Sequence, residues 1–169
     1  MTWVTKFVEV DKDFVYAAVD AETVIEIGDL VWQDVDNAKP ASMIPRPVRE
    51  YVNASFAELM QEHFADKFLG VAMQWSRPGD TNPIRVATTG VFKFNVQGGE
   101  CFELGEFIGP SHCNKDGLIN RLQNQRVTKV AHSKYAVGRV AKRVATAATD
   151  VLVDIRSTVM TGGVRGSIA

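Results

Sequence analysis

Between Ile84 and Val96 the chain alternates with a period of two. Ile84, Val86, Thr88, Gly90, Phe92, Phe94 and Val96 share one parity, while Arg85, Thr89, Lys93 and Asn95 lie mostly on the other. Successive side chains of an extended strand leave on opposite faces, so the pattern buries one face and wets the other. It predicts one long strand over 84–96, with Gly90 permitting a bend or a close approach in its middle. A chain with such a segment at its centre is β-rich.

Shorter runs extend that reading. Thr23–Ile27 ends at Gly28-Asp29 and resumes at Leu30-Val31-Trp32, the form of strand, tight turn, strand. Lys67–Met73 reads as a strand and Arg77-Pro78-Gly79-Asp80 as a turn. Cys101–Ile108 starts again as a strand, followed by a loop through Gly109-Pro110, Asn114, Asp116 and Gly117. Further strands are expected at Arg126–Ala131, Tyr135–Lys142 and Val151–Met160. Residues 34–50 hold Pro40, Pro45 and Pro47 and read as a surface loop, because proline lacks a backbone donor. Ser55-Phe56-Ala57-Glu58 has the capping-box form and predicts a short helix over about 55–64, with Phe56, Leu59, Met60, His63 and Phe64 on its packed face. Ala141–Thr149 is a second candidate helix, with a turn between strands as its alternative.

The same signals come twice. Ile27-Gly28-Asp29-Leu30-Val31, then Leu69-Gly70-Val71-Ala72, then Ile84–Val91 in the first half correspond to Leu104-Gly105-Glu106-Phe107-Ile108, then Val137-Gly138-Arg139-Val140-Ala141, then Val151–Val159 in the second. From Gly28 to Gly70 is 42 residues and from Gly105 to Gly138 is 33, a difference close to the length of the helix at 55–64. Gly70 to Val86 is 16 residues and Gly138 to Val153 is 15. The fold expected is mainly β, a small barrel- or sandwich-like domain of two pseudo-repeated halves with one short α-helix. Its parts are an N-terminal arm or edge hairpin over 1–23, a β-rich domain over 24–160 with repeats at about 24–97 and 101–160, and a flexible glycine-rich tail over 161–169. The arm reading expects residues 1–16 to be removable without loss of the fold.

Composition excludes several function classes. No apolar run approaches the roughly 18 residues of a spanning helix, and the N-terminus lacks the charged-then-apolar pattern of a secretory signal. Cys101 and Cys113 stand alone, which fits reduced thiols better than a zinc site or a disulfide framework. His63 falls on the packed face of the expected helix. His112 and Cys113 are adjacent, and neighbours in an extended segment project apart, which disfavours a nucleophile with its base. Gly162-Gly163-Val164-Arg165-Gly166 lacks the lysine and following helix of a phosphate loop. Asp29 and Glu106 occupy matching post-glycine positions and read as turn chemistry. No enzyme activity, metal or cofactor is expected.

Charge is divided along the chain. Residues 1–120 carry 10 Lys/Arg against 18 Asp/Glu, net −8, and residues 121–169 carry 9 against 2, net +7. Such asymmetry suits contacts between proteins or with nucleic acid. The basic third, from Arg121 to Arg143, interleaves only Tyr135 as a stacking platform, which favours protein partners.

The motifs also carry a family resemblance. Gly28-Asp29-Leu30-Val31, Leu69-Gly70-Val71-Ala72, Pro78-Gly79-Asp80-Thr81 and Pro83–Phe92, echoed in Val137–Ala141 and Val151–Ile155, resemble head decoration (cement) or capsid-fibre proteins of tailed bacteriophages. The resemblance covers 24–97 closely and 101–160 loosely; the helix and the proline loop depart from the shortest members. It implies a non-enzymatic virion protein, made in the host cytoplasm. Such a protein sits on the capsid surface, often as a homotrimer, and bridges major capsid protein subunits. Trp3, Phe7, Phe14 and Tyr16 are the candidate partner-contact residues, with core or edge-strand packing as their other reading. Another virion subunit, of tail tube or head completion, or a ligand- or flavin-binding β-barrel, are the alternatives.

Overall fold

A computed structural model describes residues 6–7, 13–46, 56–115 and 118–166. In chain order these form β1 (Lys6–Phe7), β2 (Phe14–Ala17), β3 (Leu30–Asp34), β4 (Asn37–Pro40), a 3-10 turn η1 (Ala41–Met43), α1 (Phe56–Asp66), β5 (Phe68–Ala72), β6 (Ile84–Ala87) and β7 (Thr89–Phe102). There follow β8 (Phe107–Lys115), β9 (Leu118–Lys129), the 3-10 turn η2 (Ser133–Tyr135), β10 (Gly138–Val140), β11 (Val144–Arg156), α2 (Thr158–Thr161) and α3 (Gly163–Gly166). One sheet has the order β2-β6-β5-β3-β4. The other has β1-β7-β11-β10-β8-β9, and a parallel pairing of β7 with β9 closes its last five strands into a barrel. The chain is mainly β, with α1 the one helix longer than a single turn among the described residues.

Each half follows the same path. From β2 to β6 and from β7 to β11, the spatial order is first, fifth, fourth, second, third, with antiparallel neighbours along the row. The match reaches single atoms. Gly28 N–H donates to Ala72 O at 2.8 Å and Gly105 N–H to Val140 O at 2.9 Å; in return Asp29 O accepts from Ala72 N–H and Glu106 O from Val140 N–H, both at 2.9 Å. A Cβ on Gly70 would stand 1.9 Å from Ala87 O and 2.9 Å from Val86 Cγ1. One on Gly138 would stand 2.3 Å from Asp154 O and 2.8 Å from Val153 Cγ1. These are the residues whose spacing suggested two copies. The added helix α1 lies between β4 and β5, where the second half has only η2 between β9 and β10.

The frame of the repeat differs from the expected one. The alternating segment 84–96 is two strands, broken at Thr88, and the halves divide there at 14–87 and 89–156 instead of 24–97 and 101–160. Thr88 is buried; its N–H donates to Asp13 O at 2.8 Å and its carbonyl accepts from Ser157 N–H at 2.9 Å. The chain crosses there from one sheet to the other. Alternation survives because both strands bury one side, yet into different cores: Ile84 and Val86 pack with Ala17, Val31, Ala38 and Leu69, whereas Phe92 and Phe94 pack with Trp32, Phe64, Phe68 and Val153.

Other segments also depart from expectation. The proline loop supplies β4, whose Pro40 sits opposite Val31 at an edge strand where a missing donor is tolerated. Gly109-Pro110 and Asn114 lie within β8, paired to β9. The candidate helix at 141–149 is mostly the extended start of β11, because pairing with β7 overrides its alanine content. In α1 the buried positions are Ala57, Met60, Gln61, Phe64 and Ala65, so the packed stripe is turned from the apolar one and Phe56 is exposed. Gln61 is accommodated because its Nε2 donates to Pro110 O at 2.9 Å. Ser55, the expected cap, lies outside the described residues.

The two extended pieces of 1–23 do not pair with each other. β1 lies along β7, Phe7 opposite Phe92, while β2 forms the edge beside β6, Tyr16 opposite Arg85. Residues 14–16 are thus part of the first sheet, against the expectation that 1–16 is dispensable. The described part of the tail is docked: Gly163 and Val164 are buried. Ser157 Oγ caps α2 by accepting from Met160 N–H at 3.1 Å, and Thr158 Oγ1 donates to Ala65 O.

Candidate contact surface

Of the four residues singled out as partner contacts, the structure brings Phe14 and Tyr16 together. Two positions apart on β2, they leave the same face, their rings 5.8 Å apart and nearly perpendicular at 82°. Phe14 is 45% exposed and Tyr16 68%. Arg85, the register partner of Tyr16, lays its guanidinium 5.7 Å from the Phe14 ring centre. Its backbone N–H donates to Gln74 Oε1 at 2.8 Å, and the next residue, Trp75, is exposed beneath the Arg77 guanidinium at 4.8 Å. Phe7 belongs to the other sheet, and Trp3 lies outside the described residues. Sequence reasoning missed Arg85 and Trp75; an arginine alternating within an apolar strand was the available signal.

The candidate chemical groups are dispersed. His63 is half-buried beside Trp32, ring centres 6.3 Å apart, and burial, helped by nearby Lys67, holds its imidazole below the usual range. His112 and Cys113 are successive residues of β8 and so face opposite ways. His112 Nδ1 is buried without a hydrogen-bond partner. Asp29 and Glu106 keep equivalent turns, each carboxylate accepting from the backbone N–H three residues earlier, Glu26 at 2.9 Å and Glu103 at 3.0 Å. Asp29 is 2% exposed and also accepts from Gln125 Nε2 at 2.8 Å, and burial pushes its carboxyl up. Among the described residues no cluster of His, Cys, Asp or Glu could hold a metal ion, and no helix is long and apolar enough to cross a membrane.

The second half carries a cleft of about 410 Å³ along β11, lined by Lys93, Lys142 and Arg143 with Val144, Val151 and Leu152. Register shifts between Val144 and Asp150 open the strand at this point. Lys93 contacts Asp150 at 3.7 Å and Arg143 contacts Glu103 at 2.7 Å. Comparison of the chain with protein-family models and with curated proteins finds no match.

Proposed function

We propose that this chain is a non-enzymatic capsid decoration protein that binds the outer surface of a phage head and ties major capsid protein subunits together, acting as a homotrimer. The observation that carries the reading is the exposed face of β2 and its neighbour β6. There Phe14, Tyr16 and Arg85 form one exposed aromatic and cationic patch of the residue types that anchor protein interfaces. The resemblance of its motifs to those of head decoration proteins supports that class of partner. A patch repeated in every copy on a shell gains avidity from many weak contacts.

The test is co-sedimentation with expanded, DNA-free heads assembled from the major capsid protein encoded in the same genome. Wild-type protein is expected to pellet with the shells, and Phe14→Ser with Tyr16→Ser to bind at least about tenfold more weakly with unchanged Tm. Point changes are preferred to removal of 1–16, which would strip the edge strand from the first sheet. Failure of the wild type to pellet, or full binding by the doubly substituted chain, would overturn the reading.

A further inference from the structure

We infer that copies of this chain meet head to tail, the Asp34–Asn37 hairpin tip of one seated in the cleft between Lys93, Lys142 and Arg143 of the next. The inference concerns how copies meet and stands apart from what the assembly binds.

Charge supplies the first argument. The structural halves also differ in charge. Residues 13–88 carry 6 Lys/Arg against 12 Asp/Glu, net −6, and residues 89–169 carry 11 against 6, net +5. The acidic half of one copy complements the basic half of another, so the chain is its own best partner. A contact between unlike surfaces repeats around an axis and closes into a ring when the rotation permits.

The shapes match as well. β3 and β4 are joined by a two-residue turn, Val35-Asp36, between the paired residues Asp34 and Asn37. Val35 has φ +51° and is 84% exposed. A positive φ at the first position of such a turn is where hairpins take glycine, and a β-branched residue there is strained. Gln33 Nε2 donates to Val35 O at 3.1 Å and holds the turn, so the strained, exposed Val35 side chain is fixed at the tip and suits a knob for a partner. Asp36 beside it is exposed, while Asp34 is held by Lys39 at 2.7 Å, which stiffens the tip. The cleft offers the complement, lined by Leu152 and the partly buried Val144, with Lys142 at its rim beside the Lys93–Asp150 and Arg143–Glu103 pairs. The hairpin faces another side of its own barrel: β3 meets the barrel at β9, whereas all of the cleft's lining but Lys93 lies on or just before β11, two strands further round.

The experiment is molar mass by light scattering across protein concentration, in about 0.05 M and about 0.5 M salt. Wild type is expected to form a discrete multiple of 18.6 kDa that weakens at the higher salt. Lys142→Glu with Arg143→Glu, and separately Asp36→Lys, are each expected to weaken association at least about tenfold with an unchanged circular-dichroism spectrum. Mixing these two chains should restore a complex, because each keeps the surface the other has lost. Val35→Gly separates contact from folding: it is expected to raise Tm while weakening association. A monomeric wild type, an unchanged mass in the cleft variant, or no complex on mixing would overturn the inference.

Discussion

Asp29 and Glu106 hold the same place in equivalent turns and live in different surroundings. Both carboxylates still accept from a backbone N–H three residues back. Glu106 stays near solvent, 3.8 Å from Lys129. Asp29 is covered by the second half, where Gln125 also donates to Ile27 O at 3.1 Å. Burial disfavours the charged form and raises the Asp29 carboxyl above its ordinary 3.8, with the Glu26 and Gln125 hydrogen bonds opposing. A raised value means that the folded chain holds this proton more tightly than the unfolded one. The contribution to stability is therefore complete below about 3.8 and is lost as pH rises through the folded value. Asp29→Asn removes this titration and leaves the other carboxylates in place. The wild type is expected to gain stability relative to that variant as pH falls from about 7 to about 4, read as the difference in urea midpoint at each pH. A constant difference would show that Asp29 is not desolvated.

At the level of the element, three glycines test whether the two halves solve one packing problem. Gly70 and Gly138 let a neighbouring strand approach so closely that a Cβ would overlap Ala87 O or Asp154 O. Gly105 needs its φ of +84° but has no atom within 4 Å of a notional Cβ. Gly70→Ala and Gly138→Ala are expected to cost about 3 kcal/mol or more each, since a sheet must shift. Gly105→Ala should cost about 1 kcal/mol, for backbone strain alone. Chemical denaturation of the three chains checks the ranking, and equal losses would contradict it. The same glycines explain what could be read from sequence. Glycine at a close approach and the valine that meets it keep a nearly equal spacing, 16 and 15 residues, so Gly70 with Val86 and Gly138 with Val153 were legible. Period two was legible as burial of one face, yet it names no core, so the crossing at Thr88 was hidden. Pro40 hid β4, because proline argues against a strand without regard to which strand is at an edge, and Pro110 hid part of β8, where it stands beside a register shift in an interior strand. Of the contact surface, Phe14 and Tyr16 were legible as aromatics, whereas Arg85 needed the β2–β6 register to join them.

Across the whole molecule, the question is whether two similar halves behave as two domains. The larger core argues that they do not. Leu30, Trp32, Met60, Phe64 and Phe68 from the first half share it with Phe92, Phe94, Leu122 and Val153 from the second. Polar bonds cross the same boundary: Ser42 N–H donates to Asn124 Oδ1 at 2.7 Å, and Ser157 Oγ donates to Phe68 O at 3.2 Å. Opening one half would expose apolar surface of the other at roughly 25 cal/mol per Å², a cost that links their unfolding. The tryptophans make this measurable. Trp32 and Trp75 lie in the first half, so in a chain carrying Trp3→Phe indole fluorescence reports that half, while far-ultraviolet circular dichroism is dominated by strands of both. The two signals are expected to trace one urea transition with a common midpoint and slope, as a single cooperative unit requires. A fluorescence change that precedes the loss of strand signal would mean that the first half opens alone, and the shared core would then be a docking surface between two independently stable halves.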